Sequence, residues 1–196
     1  CNKARLQAPR TLWQGSYIED SWIAEPWFEQ YRPIIPKIQE SIDKYYPGTK
    51  LSITEYDFGG GNHITGGLAQ ADTLGIFGKY GVYLATYWGS GDKDYIVSGM
   101  NLYTNYDGKG SQYGDTNVKC EVSDNDVASA YSSIVESEDG KLHIILINKN
   151  YDSSTTFNLS INSDVEYKSG TAWGFDRTSS DITARQAVKS ITDNTF

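Results

Sequence analysis

Cysteine, histidine and methionine are scarce in this sequence, with two Cys, two His and one Met among 196 residues. Cys1 and Cys120 lie far apart and form no CxxC spacing, so neither a zinc motif nor a redox motif follows from them. Because Cys1 sits at a chain end, a disulfide is not favoured. Asp92, Asp94 and Asp107 lack the spacing of a calcium loop. We therefore predict no metal site and no cofactor.

Long apolar runs and clusters of positive charge are missing as well. No stretch of about 18 apolar residues occurs that could span a bilayer, and the N-terminal segment CNKARLQAPR lacks the apolar part of a signal peptide. The net charge is −8, which argues against binding phosphates. We predict neither a membrane nor nucleic acid as a partner. The acidity is compatible with a secreted, extracellular protein, and the N-terminal segment has the character of a chain that begins within a longer protein.

Aromatic residues, in contrast, are abundant, with five Trp and fifteen Tyr. Their flat apolar faces can stack on the C–H face of a pyranose, and the tyrosine hydroxyl can bond to a sugar. A fold rich in β-strands also favours these residues. Composition leaves both explanations open.

Helix-like and strand-like segments alternate in the first hundred residues. Residues 32–45 place four apolar side chains at steps of three and four, which predicts an amphipathic helix. Those side chains are Ile35, Ile38, Ile42 and Tyr45. Residues 50–54 predict a strand that ends just before Glu55, and the apolar run at 82–88 predicts a strand buried on both sides, as in a parallel sheet.

Helices are predicted beside these strands, at residues 66–81 and 95–108. The order of short strands and helices is that of a parallel sheet with helices outside. Two strands alone cannot close a sheet, so we predict that residues 1–107 are the C-terminal part of a (β/α)8 barrel. The fold class is therefore α/β plus all-β.

The pattern of the sequence changes after Asp107. Short strand-like segments separated by turn signals predict a β-sandwich over residues 108–196, with a hairpin turn at 138–140. The candidate strands lie at 118–123, 127–137, 141–150, 155–162 and 167–175. The chain stops in what resembles the start of another strand, so we expect the sandwich to be truncated.

Glu55 is the best candidate for chemistry. It lies at the end of a predicted strand and before three consecutive glycines, where α/β barrels keep their catalytic groups. In a retaining glycosidase such a carboxylate attacks the anomeric carbon, and a second carboxyl group gives and then removes a proton. The alternative is a solvated glutamate at a strand end.

Tryptophans strengthen the first interpretation. Trp88 ends the next predicted strand and could form a sugar platform, or else a core residue. Trp13, Trp22 and Trp27 form a second aromatic group on a loop-like segment, where burying all three rings is difficult.

Weaker candidates surround these residues. Three acidic residues on the Trp-rich loop could be acid/base groups, although we expect solvated charges there. We expect Asp57 to cap the glycine-rich loop and His143 to have a structural role. His63 could donate to a sugar hydroxyl. The three charges are Glu19, Asp20 and Glu25.

Several long segments resemble glycoside hydrolase family 44, which comprises endoglucanases and xyloglucanases of cellulolytic bacteria. The resemblance covers the whole chain, and it rests on LWQGSYIEDSW, IPKIQESIDKYYPGTKLSITEYDFGG, ITGGLAQADTLGIFGKYGVYLATYW, NYDGKGSQYGDT and SGTAWGFDRTSS. It implies a (β/α)8 barrel with an appended β-sandwich and hydrolysis with retention of configuration.

The resemblance also implies roles for individual residues. The TEY motif matches residues 54–56, which makes Glu55 the nucleophile and Tyr56, beside it, a substrate-binding residue. Trp22, Trp27 and Trp88 match aromatic positions that line the substrate cleft. The family's acid/base glutamate lies in an Asn-Glu-Pro context on an earlier strand, and Glu25 in Ala-Glu-Pro does not align with it.

We therefore expect the acid/base to lie outside this chain, on the remainder of the barrel, and the substrate to be a β-1,4-glucan such as cellulose or xyloglucan. The competing function is a non-catalytic carbohydrate-binding module built on the sandwich, with Trp173 as a candidate. The third alternative is that the sandwich is a structural brace.

Overall fold

The computed structural model describes residues 1–89, 91–138 and 140–196. The chain divides into two compact units, Cys1–Ile96 and Val97–Phe196. The division predicted between residues 107 and 108 stays a prediction. No helix within the described residues is both long enough and apolar enough to cross a membrane.

The first unit alternates helices with two parallel strands. Its elements are α1 Asn2–Gln7, 3₁₀ helices at Ala8–Leu12, Trp22–Ala24 and Pro26–Tyr31, then α2 Ile34–Tyr45, β1 Ser52–Tyr56, α3 Ile64–Lys79 and β2 Leu84–Tyr87. Strands β1 and β2 pair in parallel, as predicted. The second unit contains most of α4 Asp94–Thr104, whose first residues belong to the first unit.

Helix α2 forms where the amphipathic pattern predicts it, with Pro33 in extended conformation at its N-cap. Its apolar face is only partly covered. Ile35 is 1% exposed, a burial that contributes about 1.5–3 kcal/mol, whereas Ile38 and Tyr45 remain exposed. The core of the first unit lies around α3, α1 and the first 3₁₀ helix instead.

Helix α3 is the most buried element of this unit. His63 caps its N-terminus, because the ring nitrogen Nδ1 accepts a hydrogen bond from Thr65 N at 3.1 Å. Gly66, Gly67 and Gly75 are buried within the helix, where each glycine costs about 0.5–1 kcal/mol relative to alanine. Gly66 permits close packing of the backbone of Gly60 against the helix.

The second unit is built on an antiparallel sheet in the order β3-β4-β5, with β3 Thr116–Val118, β4 Ala128–Ile134 and β5 Leu142–Asn148. Strands β4 and β5 form the predicted hairpin, paired from Ala128↔Asn148 to Ile134↔Leu142. Asp139, in the middle of the predicted turn, lies outside the described residues.

The rest of the second unit contains less strand than the sequence predicts. A short antiparallel pair joins β6 Trp173–Gly174 to β7 Thr183–Ala184. The strand predicted at 155–162 is wrong, since only an isolated bridge pairs Ser160 with Thr195. The strand predicted at 118–123 is also misplaced, because the observed strand ends at Val118.

Candidate active site on strand β1

Glu55 lies at the C-terminal end of strand β1, as predicted, but the strand continues to Tyr56 and does not end at Thr54. The pairing of the strand explains the difference. Tyr56 pairs with Tyr87, and Trp88 N donates to Tyr56 O at 2.9 Å, so the ladder continues past Glu55.

Strand β1 contains one residue more than β2 over the same length. Ile53 pairs with Ala85 and Tyr56 pairs with Tyr87, so three steps on β1 match two steps on β2. Such a bulge places two successive side chains opposite a single partner. Ile53 and Tyr56 consequently share one face, and Thr54 and Glu55 share the other.

Burial agrees with this assignment of faces. Thr54 and Glu55 are exposed, whereas Ile53 and Tyr56 are partly buried. On β2, side chains alternate in the ordinary way, with Leu84 and Thr86 exposed and Ala85 and Tyr87 partly covered. Trp88 continues the alternation on the exposed side, so Glu55 and Trp88 belong to the same face of the two-stranded sheet.

The run at 82–88 was predicted to be buried on both sides, and this is wrong for the described residues. Leu84 is 49% exposed and Trp88 is 64% exposed. Strand β2 has one parallel neighbour, β1, and helix α3 lies against the opposite face of this sheet. One face therefore stays open.

The carboxylate of Glu55 lies on that open face. Among the described residues, no hydrogen bond or ion pair holds it. It is therefore available to an approaching ligand, which a carboxylate in a buried ion pair would not be.

Tyr56 supports the strand from the opposite face. Its hydroxyl accepts a hydrogen bond from Gln70 Nε2 at 2.7 Å, and its ring packs edge to face on Phe77, with centroids 5.1 Å apart. Gln70 is fully buried in α3. Burial raises the pKa of Tyr56, and the bond from Gln70 opposes that rise. Tyr56 thus anchors β1 to α3, directly behind Glu55.

Asp57 closes the loop that follows, in line with its expected capping role. Its Oδ1 accepts from Gly59 N at 2.6 Å and from the hydroxyl of Tyr87 at 2.9 Å. Burial, together with the bond to Asp57 and its negative charge, raises the pKa of Tyr87 to about 12. Asp57 is therefore engaged in local structure.

The glycine-rich loop packs against three other segments. Arg5 Nε donates to Phe58 O at 2.9 Å, and a Cβ on Gly60 would lie 2.8 Å from the Arg5 guanidinium. A Cβ on Gly61 would lie 1.9 Å from Asp92 O, and one on Gly66 would lie 2.1 Å from Gly60 O. Close approach of backbone explains Gly61 and Gly66, whereas Gly60 has a positive φ of 73° and lies against the Arg5 side chain.

Arg5 is a structural residue that sequence reasoning missed. Its Nη1 also donates to Asn2 Oδ1 at 2.7 Å and to Thr65 Oγ1 at 2.9 Å. One guanidinium therefore joins α1, the glycine-rich loop and the start of α3. The three consecutive glycines mark this loop, but they do not identify Arg5 as its partner.

His63, a suggested donor to a sugar hydroxyl, is held within this network. Its Nδ1 lies 3.1 Å from Thr65 N and 2.9 Å from Thr65 Oγ1, and its Nε2 lies 3.3 Å from Asn2 Nδ2. Both ring nitrogens are thus engaged by the protein. His63 is a helix cap in this structure.

The predicted aromatic group of three tryptophans is a group of two. Trp22 and Trp27 stack at 6.1 Å with an interplanar angle of 14°, and both remain exposed, at 63% and 59%. Phe28 packs edge-on against both rings. Trp13 instead packs beside Tyr80, with ring centroids 6.4 Å apart. It is the C-cap residue of the first 3₁₀ helix.

Acidic residues near this pair differ in their environment. Glu19 accepts hydrogen bonds from Thr11 and Ser21, each at 2.7 Å, so it ties this segment together. Asp20 and Glu25 lie on the same segment. Glu25 is the N-cap residue of the third 3₁₀ helix, but its side chain makes no capping hydrogen bond. No interaction within the described residues links the Trp22–Trp27 pair to Glu55.

His143 and Trp173 lie in the second unit, within an aromatic cluster. The His143 ring is 6.1 Å from both Tyr106 and Tyr113, and Trp173 is 6.4 Å from Tyr106. Both His143 nitrogens are buried and make no hydrogen bond within the described residues. Trp173 is half-buried, so neither ring forms an exposed platform.

Acid should weaken the second unit through His143. Burial, reinforced by Lys141 and opposed by Glu138, lowers the pKa of His143 below its usual 6.5. The unfolded chain then binds a proton at higher pH than the folded chain does, so stability is complete above pH 6.5 and is lost as pH falls towards the folded pKa. We expect the melting temperature to drop over this range, and His143→Phe to reduce that drop. An unchanged pH dependence in the variant would contradict this.

Neither a metal site nor a disulfide is found among the described residues. The described residues contain no group of three or more His, Cys, Asp or Glu side chains able to hold a metal ion. Cys1 and Cys120 are both free.

Comparisons with known proteins complete the description. No protein-family model matches the chain. Endoglucanase A of Paenibacillus lautus is 51% identical over 195 residues, which are 99% of this chain and 28% of that protein. The solved structure of Cel44A, a family 44 endoglucanase from Clostridium thermocellum, superposes with a TM-score of 0.96 at 66% identity. This chain belongs to glycoside hydrolase family 44.

The match to family 44 confirms the resemblance found in the sequence, at the C-terminal portion of the family's proteins. The comparison with Cel44A covers 100% of this chain and 38% of that chain. A xyloglucanase of Paenibacillus polymyxa, solved with xyloglucan, gives a TM-score of 0.95 at 46% identity and the same coverage. The family 44 chain therefore spans well under half the length of the proteins it matches.

Proposed function

We propose that this chain is part of a retaining glycoside hydrolase that cleaves internal β-1,4 bonds of cellulose-type glucans and xyloglucan. The observation that carries the proposal is the position of Glu55. It is an exposed carboxylate without a partner among the described residues, and it shares one face of the sheet with the exposed ring of Trp88. The endoglucanases and the xyloglucanase of family 44 support the substrate class.

In the proposed mechanism, Glu55 is the nucleophile. A carboxylate oxygen of Glu55 bonds to the anomeric carbon while the bond to the leaving sugar breaks, and a second carboxyl group protonates that sugar. Water then hydrolyses the glycosyl-enzyme ester, with the second group acting as base. Two inversions at the same carbon give net retention.

We infer that the acid/base belongs to a part of the protein outside this chain. Within the chain, Asp57 is bonded to Gly59 and Tyr87, and Glu19 is bonded to Thr11 and Ser21. A carboxyl group held in this way is poorly placed to donate a proton to a leaving oxygen. Retaining enzymes also need the second carboxyl group about 5–5.5 Å from the first.

Exposed aromatic rings supply the proposed substrate contacts. Trp88, Trp22 and Trp27 each present a large apolar surface that could stack on successive glucose units. Tyr56, predicted as a substrate-binding residue, is not one of these contacts, because its hydroxyl and ring are bound by α3 on the opposite face. A polymeric glucan lies outside the cell, which also favours a secreted enzyme.

We further propose that β1 and β2 are two strands of a (β/α)8 barrel whose remainder covers the open apolar edge at Tyr83 and Leu84. The second unit would then be a β-sandwich that braces the barrel. The half-buried packing of Trp173 favours a brace over a separate carbohydrate-binding module.

The stereochemistry of the first product tests the proposal directly. The full-length protein carrying this chain should hydrolyse a soluble β-1,4-glucan with retention, so that proton NMR detects the β-anomer of new reducing ends first. The α-anomer should appear later, through mutarotation. An initial α-anomer would exclude a carboxylate nucleophile, and the absence of any glucan hydrolysis would remove the proposed substrate class.

A further inference from the structure

The bulge in β1 leaves one carbonyl group with an unusual partner. Because Thr54 and Glu55 together face a single residue of β2, the regular ladder is interrupted at that point. The side chain of that single residue, Thr86, donates its hydroxyl hydrogen to the carbonyl oxygen of Thr54. A side chain thus holds a main-chain carbonyl at the bulge.

This hydrogen bond acts on the peptide group that joins Thr54 to Glu55. The peptide group is planar, so fixing the direction of the Thr54 carbonyl also fixes the N–H and the Cα of Glu55. The orientation of that plane therefore sets the direction of the Cα–Cβ bond from which the Glu55 side chain extends.

Contacts on either side of this peptide hold the strand as well. Tyr56 is anchored by Gln70 and Phe77 of α3, and Ile53 is paired with Ala85. The plane between these fixed points can rotate unless something holds its carbonyl. Among the described residues, Thr86 is the side chain that does so.

We propose that Thr86 is a positioning residue for Glu55, holding the carboxylate in line for attack through the Thr54 carbonyl. This inference rests on the proposed function, in which Glu55 is the nucleophile. Thr86 acts on the direction of the nucleophile, and a misplacement of about 1 Å can cost about 10²-fold in rate.

Two substitutions separate the hydroxyl from the shape of the side chain. Thr86→Val keeps the volume and the β-branching but removes the donor, whereas Thr86→Ser keeps the donor. We expect Thr86→Val to lower kcat by about 10- to 100-fold with little change in KM. Thr86→Ser should recover most of that loss.

A mechanism-based inactivator measures the nucleophilic step alone. With 2,4-dinitrophenyl 2-deoxy-2-fluoro-β-cellobioside, a Glu55 oxygen bonds to the anomeric carbon as dinitrophenolate leaves with the electron pair of the broken bond. That leaving group needs no proton, so the acid/base does not limit the step. The rate of dinitrophenolate release should fall in Thr86→Val of the full-length protein and recover in Thr86→Ser, with peptide mass spectrometry locating the label.

Thr104→Val is a matched control, because Thr104 also uses an exposed hydroxyl to bond a carbonyl, that of Met100 in α4. It should react at the wild-type rate. Equal rates for wild type and Thr86→Val, equal losses in both Thr86 variants, or a change confined to KM would each overturn the role of Thr86. If the wild-type label is not on Glu55, the proposed function fails instead, so the two failures are distinguishable.

Discussion

Replacing Glu55 with glutamine should abolish glucan hydrolysis, lowering kcat/KM by at least about 10⁴-fold. The amide keeps the size and shape of the side chain but cannot form the ester with the anomeric carbon. The carboxylate makes no hydrogen bond or ion pair within the described residues, so its loss should leave the fold intact. Activity on a soluble β-1,4-glucan and the melting temperature together check this.

Two further variants sharpen that test. Glu40→Gln removes an exposed glutamate of α2 that pairs with Lys37 at 3.3 Å, and it should keep wild-type activity. In Glu55→Ala, azide can attack from the side the carboxylate occupied, so added azide should yield the α-glycosyl azide. A β-glycosyl azide would identify Glu55 as the acid/base instead, and activity of Glu55→Gln within tenfold of wild type would exclude both roles.

Replacing Gly66 with alanine should destabilise the first unit by about 3 kcal/mol. The added Cβ would lie 2.1 Å from Gly60 O and 2.6 Å from Gly60 C, so backbone would have to move. Because the glycine-rich loop follows β1, the displacement should also reduce hydrolysis. Calorimetry of the full-length protein and kcat on the same glucan measure the two effects.

Gly78 provides the matched comparison within the same helix. A Cβ at Gly78 would meet nothing within 4 Å, and alanine is favoured over glycine in helices by about 0.5–1 kcal/mol. Gly78→Ala should therefore leave stability unchanged or raise it slightly. Equal effects of the two substitutions would show that intrinsic helix preference, and not packing against Gly60, decides the outcome.

Helix α2 and the β4–β5 hairpin could be predicted from the sequence, because both depend on local patterns. Steps of three and four residues predicted α2, and two apolar runs around a turn predicted the β4–β5 hairpin. These signals depend on periodicity and turn residues, which the sequence displays directly.

The bulge could not be predicted in this way. It is a property of the pairing between β1 and β2, and the sequence of residues 50–54 predicts a strand without a register. The strand was accordingly predicted to end before Glu55. That Glu55 and Trp88 share a face follows only once Ile53↔Ala85 and Tyr56↔Tyr87 are known.

Burial and side-chain partners were also beyond the sequence. The apolar run at 82–88 shows what could be buried, and Leu84 is nonetheless exposed. In the second unit, Asn148 binds Thr155 through Oδ1 and Ser153 O through Nδ2. These bonds shape the segment that follows β5 as a loop, where alternating residues had predicted a strand.

The additional residue in β1 determines how substitutions and deletions in this strand affect Glu55. Exchanging Ser52 for another small residue leaves the direction of Glu55 unchanged, since the register continues to be fixed by Ile53 and Tyr56. Losing Thr54 would restore simple alternation, with Ile53 and Tyr56 facing α3 and the glutamate between them still on the open face. Such a deletion would keep the carboxylate on its face but remove the carbonyl group that Thr86 holds.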